Sequence, residues 1–329
     1  MNRVDMEGEE TIKKAGFVVI LGRPNVGKST LLNRLVGSKL AIVTPKPQTT
    51  RDAIQGVLTR SEGQIVFVDS PGIHEPSLEL GRRMMSEVRR ATSGCHLVLL
   101  VVDANKPAQI GDDTVIDMVK ELKTKVFLVL NKVDLLKSKE QLLPQIERYQ
   151  QRYAFDEYVP LSAQTGQNAE ELIREVFRYL PESPAYYPDD YITDQPERFL
   201  ASELIREQII FETQQEVPHS TAVMIDAWEE TEKLVRMAAT IYTERDSQKA
   251  ILIGKKGAKM KAIGIKARKQ LEDRFGKQVY LELFVKVQPR WRDQAGFIQS
   301  LDFRGLSVGD IDDEDAPDAP LDWGEDDEQ

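Results

Sequence analysis

Gly22-Arg23-Pro24-Asn25-Val26-Gly27-Lys28-Ser29 follows an apolar run, Phe17-Val18-Val19-Ile20-Leu21, and precedes Thr30-Leu31-Leu32-Asn33-Arg34-Leu35-Val36, which has helical spacing. Strand, glycine-bounded loop and helix in that order are the setting of a phosphate-binding P-loop. The backbone N–H groups of 22–30 are expected to turn inward around phosphate oxygens, and the helix N-terminus adds its positive end. A side chain in place of the glycines would block that close approach. Lys28 then reaches the outer phosphates, and the Ser29 hydroxyl is placed to ligate Mg²⁺.

Outward from this loop, residues 17–180 alternate short apolar runs with helical segments. Runs at 64–68, 96–102, 126–130 and 158–161 read as strands, and the polar segment 45–52 lies between the first helix and the next strand. Continuously apolar short runs suit a parallel sheet buried on both faces. Helices are expected at 77–93, 111–122, 138–153 and 168–180, which gives an α/β fold with a mostly parallel sheet and helices on both faces. Pro181, Pro184, Pro188 and Pro196 then interrupt the rhythm and mark 181–196 as an ordered, extended linker. Beyond it, 197–213 reads as an amphipathic helix, 221–229 and 233–243 as strands, and 279–287 as a last strand. The order α-β-β-α-α-β describes a smaller α+β domain over 197–306. A flexible start over 1–14 and an acidic, disordered tail over 307–329 complete the division.

Of the 329 residues, 41% are hydrophobic and 30% charged, ordinary values for a globular chain. Its length allows two domains with ordinary cores. No apolar run approaches the roughly 20 residues of a membrane-spanning helix, and 1–14 lacks an apolar signal-peptide core. Cys95 is the single cysteine, and His74, His96 and His219 are scattered, which argues against a disulfide or a structural zinc site. A cytosolic protein is expected. The net charge of −10 is segregated: 11 acidic and no basic residues lie from position 308 onward, leaving 44 basic against 43 acidic residues elsewhere. An acidic average therefore does not exclude a nucleic-acid partner.

Four further segments indicate what the P-loop binds. Asp69-Ser70-Pro71-Gly72 ends the strand at 64–68; its carboxylate is placed to hold Mg²⁺ through water, and the Gly72 N–H to touch the terminal phosphate. Within 45–52, Gln48-Thr49-Thr50-Arg51-Asp52 offers a threonine to complete the Mg²⁺ shell, so loss of that phosphate would release the segment. Asn131-Lys132-Val133-Asp134 sits at another strand end. A carboxylate there accepts from both N1–H and the 2-amino group of guanine, donors that adenine lacks at that edge, while the Lys132 stem lies on the base plane. Ser162-Ala163 follows the next strand, where a backbone N–H meets guanine O6. Together these segments specify GTP and GDP.

The second informative stretch is Gly254-Lys255-Lys256-Gly257, with Lys259 and Lys261 close behind. From 246 to 277 there are ten basic and three acidic residues. A GxxG turn between helices lets a nucleic-acid backbone approach while the flanking lysines meet phosphates. With the surrounding element order, this is the arrangement of a type II KH domain, an RNA-binding fold.

The switch-like segments at 48–51 and 69–74, together with 216–223, 281–287 and Trp291-Arg292 around the KH domain, resemble the Era family of GTPases over residues 15–300. The resemblance implies Ser29 and Thr50 as Mg²⁺ ligands, with Asp69 acting through water. It also implies Asn131 and Asp134 as guanine readers, with Lys28, Thr50 and Gly72 serving hydrolysis. Ile73 stands where Ras-type GTPases carry a water-orienting glutamine, so hydrolysis is expected to rest on the P-loop, Mg²⁺ and switch backbone, with K⁺ beside Asn25. Slow intrinsic turnover raised by a partner is expected, and adjacent His74 reads as a solvated switch residue rather than a base. The resemblance further implies a cytoplasmic monomer that binds the 3′ end of 16S rRNA and assists maturation of the 30S ribosomal subunit, with peripheral contact at the inner membrane. Rival readings are a GTPase of the other subunit or of tRNA modification, and a non-catalytic RNA-binding adaptor with a regulatory GTP site. The acidic tail departs from the family pattern and reads as a solubilising segment or as an electrostatic competitor for the basic face.

Overall fold

The computed structural model describes residues 13–73, 78–107, 110–214 and 217–302. Most of the expected flexible start, His74, Glu216 and the acidic tail lie outside these residues. In chain order the first domain comprises β1 (Lys14–Leu21), α1 (Lys28–Val36), β2 (Ile54–Arg60), β3 (Gly63–Asp69), α2 (Glu79–Thr92), β4 (Leu97–Asp103), α3 (Ile110–Lys120), β5 (Lys125–Asn131), α4 (Leu142–Gln150), β6 (Glu157–Pro160) and α5 (Ala169–Tyr179). The sheet order is β2-β3-β1-β4-β5-β6. All neighbours pair in parallel except β2 and β3, which run antiparallel from Ile54↔Asp69 to Arg60↔Gly63. Only two residues join β2 to β3, too few for a parallel crossover. β4 is buried at every position, as expected of a central strand with helices on both faces. The C-terminal ends of β3, β4 and β5 bring Asp69, Asp103 and Asn131 to one edge, the place where open α/β sheets bind ligands.

The second domain follows as α6 (Glu197–Glu212), β7 (Ala222–Glu230), β8 (Leu234–Thr243), α7 (Asp246–Ile253), α8 (Ala258–Phe275), β9 (Gln278–Val287) and α9 (Ala295–Ser300). β7 and β8 are antiparallel and β8 and β9 parallel; the parallel pair needs the α7–α8 crossover between them. The expected element order is present. The amphipathic reading of α6 needs correction, since eleven of its residues are buried, Arg206, Glu207 and Gln208 among them. A helix buried around most of its girth lies between layers rather than on a surface. One apolar cluster accordingly runs from Val18 and Leu31 of the first domain through Phe199 and Ile205 of α6 to Ile263 and Leu271 of α8. No helix among the described residues is long and apolar enough to cross a membrane.

The segment 181–196 is extended and docked on the edge strand β2. Val57 N–H donates to Ile192 O at 2.8 Å, and Thr193 Oγ1 donates to Gln55 O at 2.6 Å. Gln64, fully buried, fixes the other end: its Oε1 accepts from Tyr186 N–H at 2.9 Å and Tyr187 N–H at 3.0 Å, and its amide donates to Tyr187 O. The rings of Tyr187 and Tyr191 stack at 4.5 Å. Covering an edge strand in this way removes its free hydrogen-bonding groups from solvent competition. Gln64→Ala deletes three of these bonds, and with one to two polar groups left poorly satisfied it is expected to cost ~2 kcal/mol in urea unfolding and to speed proteolysis between 183 and 193. An unchanged midpoint and cleavage rate would refute this role for Gln64.

Candidate nucleotide and nucleic-acid sites

The P-loop runs from the end of β1 into α1, and its polar groups converge on Asp69. Ser29 Oγ donates to Asp69 Oδ2 at 2.7 Å and lies 2.7 Å from Thr50 Oγ1, which is itself 3.5 Å from Asp69 Oδ2. Asp69 Oδ1 is buried and has no hydrogen-bond partner. Two hydroxyls around a buried carboxylate with a spare oxygen form a hard-oxygen donor set that fits a partly hydrated Mg²⁺. Thr49 is turned away, donating to Lys46 O at 2.7 Å, so the structure selects Thr50. Burial pushes the Asp69 carboxyl up to about 6, against the pull of Lys28, Ser29 and Thr50. Burial likewise pushes the Lys28 ammonium down to about 8, with Asp69 opposing.

Lys28 Nζ donates to Gly22 O and Arg23 O at 3.0 Å each, contacts that phosphate oxygens would replace. The Arg23 side chain points elsewhere, pairing with Asp112 of α3 at 2.8 Å, which leaves its backbone as its part in the site. Pro24, Asn25, Gly27, Thr30 and Gly72 line a cleft of about 50 Å³ with Lys28 and Ser29. Gly72 lies against Pro24, where a Cβ would approach its ring to 2.7 Å. Ser70 Oγ donates to Ile20 O at 2.8 Å and fixes the turn through Pro71 to β1. Ile73 is buried, and its N–H donates to Gly22 O at 3.3 Å. Asn25 Nδ2 donates to Pro45 O at 3.1 Å and ties the P-loop to the 45–52 segment.

At the base end, Asn131 is the fastener. Its Nδ2 donates to Val26 O at 2.9 Å, and its Oδ1 accepts from Lys132 N–H at 2.8 Å and Ala163 N–H at 2.9 Å. Gly27 has φ of +98°, and a Cβ there would fall 2.3 Å from Asn131 Nδ2, so glycine is required both for the turn and for this approach. In the segment where a backbone N–H is expected at guanine O6, the Ala163 N–H thus donates to Asn131. Lys132 Nζ bridges Asn25 O at 2.7 Å and Asp103 Oδ2 at 2.8 Å, which lays its stem along the site. Val133 N–H donates to Leu161 O, Ser162 Oγ accepts from Thr165 N–H, and Asp134 is exposed in the 3-10 turn 133–135. Asp103 was missed in the sequence, because a carboxylate at a strand end carries no motif of its own.

The other residues missed join the two domains. Arg51 donates to Thr221 O at 2.8 Å and His219 O at 3.2 Å, and its guanidinium lies 5.5 Å from the Trp291 ring centroid. Trp291 is fully buried and donates Nε1–H to Ser220 O at 2.9 Å. From α6, Arg206 donates to Thr49 O, and Glu207 accepts from Val43 N–H at 3.0 Å and Lys39 Nζ at 2.6 Å. The loop that supplies Thr50 is therefore held by the second domain.

In that domain Gly254 closes α7, its N–H donating to Ala250 O at 2.9 Å, and a 3-10 turn at Lys255–Gly257 leads into α8. Lys255, Lys256, Lys259 and Lys261 lie at or just after this turn, as expected. Beside them a groove of about 660 Å³ runs between α8 and β9. Ile253, Ile265, Tyr280 and Phe284, each at least 36% exposed, line it with Lys261 and Arg268. Exposed rings and branched side chains beside lysines suit unstacked bases on a tracked phosphate backbone. Tyr280 and Phe284 were missed; four residues apart, and so on one face of β9, they are the sequence signal that could have located this groove. Asn131→Ala is expected to cost ~2–4 kcal/mol of stability, since it leaves buried polar groups unpaired, together with guanine-nucleotide binding. Asp134→Ala should keep the unfolding midpoint and lower GTP affinity by ~10²-fold or more, with loss of discrimination against ATP. Isothermal titration alongside thermal melts separates the two, and equal effects on stability would overturn the division of roles.

Residues 17–132 match the family described as 50S ribosome-binding GTPase, and residues 216–292 match the KH domain. A crystal structure of Aquifex aeolicus Era, a point variant bound to GDP·AlF4⁻, is similar at 38% identity with a TM-score of 0.85, covering 89% of this chain and 100% of that one. A structure of Era with MgGDPNP and nucleotides 1506–1542 of 16S ribosomal RNA is similar at 38% identity with a TM-score of 0.86 and the same coverage. The P-loop site, the docked KH domain and a likeness that spans both place this chain in the Era family of GTPases.

Proposed function

We propose that this protein hydrolyses GTP in a Mg²⁺-dependent switch that controls how its KH domain meets the 3′ region of 16S rRNA, in the service of 30S subunit maturation in the cytoplasm. The observation that carries this reading is the pairing of Thr50 and Arg51. Thr50 belongs to the Ser29–Asp69 donor set, and the next residue is anchored on His219, Thr221 and Trp291 of the other domain. The related structures contain GDP·AlF4⁻ in one case and MgGDPNP with 16S rRNA in the other, which supports both halves of the reading. The GTPase family match stops at residue 132 and leaves the KH domain out, so its large-subunit description does not govern the choice of RNA.

Mg²⁺ held by Ser29, Thr50 and Asp69 would neutralise charge on the β- and γ-phosphates. Lys28 would exchange its two carbonyl partners for phosphate oxygens, and the loop amides would orient the chain of phosphates for in-line attack. Because Ile73 is buried and apolar, water is positioned by backbone groups of 45–52 and 72–73 rather than by a side chain at that position. The Asn25 Nδ2 bond to Pro45 O, 3.1 Å long, holds Asn25 between the P-loop and the switch, where its side-chain oxygen is the atom a K⁺ would take. Turnover is accordingly expected to rise several-fold in KCl over NaCl at equal ionic strength, and equal rates would remove the K⁺ assignment. Arg51→Ala is expected to bind GTP within a few-fold of the parent. Its affinity for a 16S 3′-end oligonucleotide should no longer differ between GDP and a non-hydrolysable GTP analogue. A preserved difference would refute the coupling through Arg51.

A further inference from the structure

We propose that the acidic end of the chain, residues 308–329, occupies the groove between α8 and β9 as an internal mimic of single-stranded nucleic acid. The inference rests on the reading of that groove as the RNA site. The groove asks for a ligand that combines negative charge with flat apolar groups. Its floor exposes Ile253, Ile265, Tyr280 and Phe284 at 36%, 53%, 49% and 45%. Lys261 lines the groove, and Lys255, Lys256 and Lys259 lie at or just after the turn that leads into α8; none of the four makes an ion pair among the described residues, whereas nearby Lys266 and Lys277 pair with Glu212 and Glu230. The chain's own end carries this chemistry: 11 carboxylates, no basic residue, and Leu321-Asp322-Trp323 among them. Carboxylates stand in for phosphates and the Trp323 indole for a base, since aromatic stacking is indifferent to base identity.

Charge directs the tail to this face rather than to α2, near which the described chain ends. Three of the four arginines of α2 already pair, Arg82 with Glu79, Arg83 with Asp52 and Asp302, and Arg90 with Glu87, while the 246–277 stretch carries ten basic and three acidic residues. Reach is not limiting. The 27 residues after Asp302 extend up to ~90 Å, against a length of ~27 Å for the 18-residue α8. A tether of this kind presents the tail at an effective concentration near the millimolar range. Weak intrinsic affinity then suffices to exclude loosely bound polyanions, and a tightly bound RNA displaces it.

The test compares the full-length chain with two full-length variants, one with the 11 tail carboxylates changed to Asn or Gln and one carrying Trp323→Ala. Binding of short oligouridine and of an oligonucleotide from the 16S 3′ end is measured at low and high salt, beside amide NMR spectra of each RNA-free protein. Neutralisation is expected to tighten oligouridine binding ~10-fold or more at low salt and less than ~2-fold at high salt. Trp323→Ala should have a smaller effect of the same sign. Amide differences between parent and neutralised chain should centre on 254–265 and 280–285 and be independent of protein concentration, with RNA-free GTP turnover unchanged. Equal affinities at low salt, amide differences centred on α2, or concentration-dependent shifts that betray exchange between copies would each overturn the proposal. Failure of every variant to bind either RNA would instead sink the RNA reading of the groove, and the amide spectra would still report where the tail sits.

Discussion

Thr50 and Arg51 are consecutive residues whose side chains serve different domains, and the coupling in the molecule turns on that adjacency. In an extended segment neighbouring side chains point to opposite sides. Thr50 Oγ1 meets Ser29 at 2.7 Å, while Arg51 is half-buried against two carbonyls and an indole. The magnitudes decide which contact yields. One hydroxyl hydrogen bond contributes ~1 kcal/mol net, whereas each of the two hydrogen bonds from the charged Arg51 contributes ~1.5–3 kcal/mol. A displacement of Thr50 that follows the nucleotide therefore moves the second domain's anchor more readily than it breaks it.

α6 makes the same point from the other domain. It belongs to the KH domain by sequence order, yet Glu207 holds Val43 N–H and Lys39, and Arg206 holds Thr49 O. Burial around most of the helix lets one element fill two cores, and the apolar cluster passes through it without a break. The linker adds to this by pairing with β2 rather than bridging open solvent. The two domains are coupled because backbone groups of the switch loop are satisfied by side chains more than 150 residues away.

That distance also explains what was legible in the sequence. The P-loop, Asp69 and the Asn131–Asp134 segment could be placed because each is a short apolar run ending in a fixed pattern, and local periodicity locates strand ends. β2 was not read as a strand, since Gln55, Gly56, Thr59 and Arg60 dilute its alternation. The KH element order was legible for the same reason as the first sheet. The interdomain roles of Arg51, Arg206 and Glu207 were not legible, and α6 read as an amphipathic helix, because nothing local distinguishes a charge facing water from one facing a distant carbonyl. The bond from Ala163 N–H to Asn131 is likewise a contact between residues 32 positions apart.

The charge state of the P-loop supplies the remaining constraint. Burial holds Lys28 and Asp69 toward their neutral forms, to about 8 and about 6, and their mutual attraction offsets this only in part. Each is one half of a pair whose natural complement is larger than the other residue. Phosphate oxygens replace the water Lys28 has lost, and a divalent cation does the same for the spare oxygen of Asp69. The fold therefore carries a desolvation cost at 28 and 69 that ligand binding relieves, and binding must stabilise the folded chain in return. Since Thr50 shares this donor set and Arg51 is fixed to the KH domain, part of that stabilisation is felt at the interface between the domains.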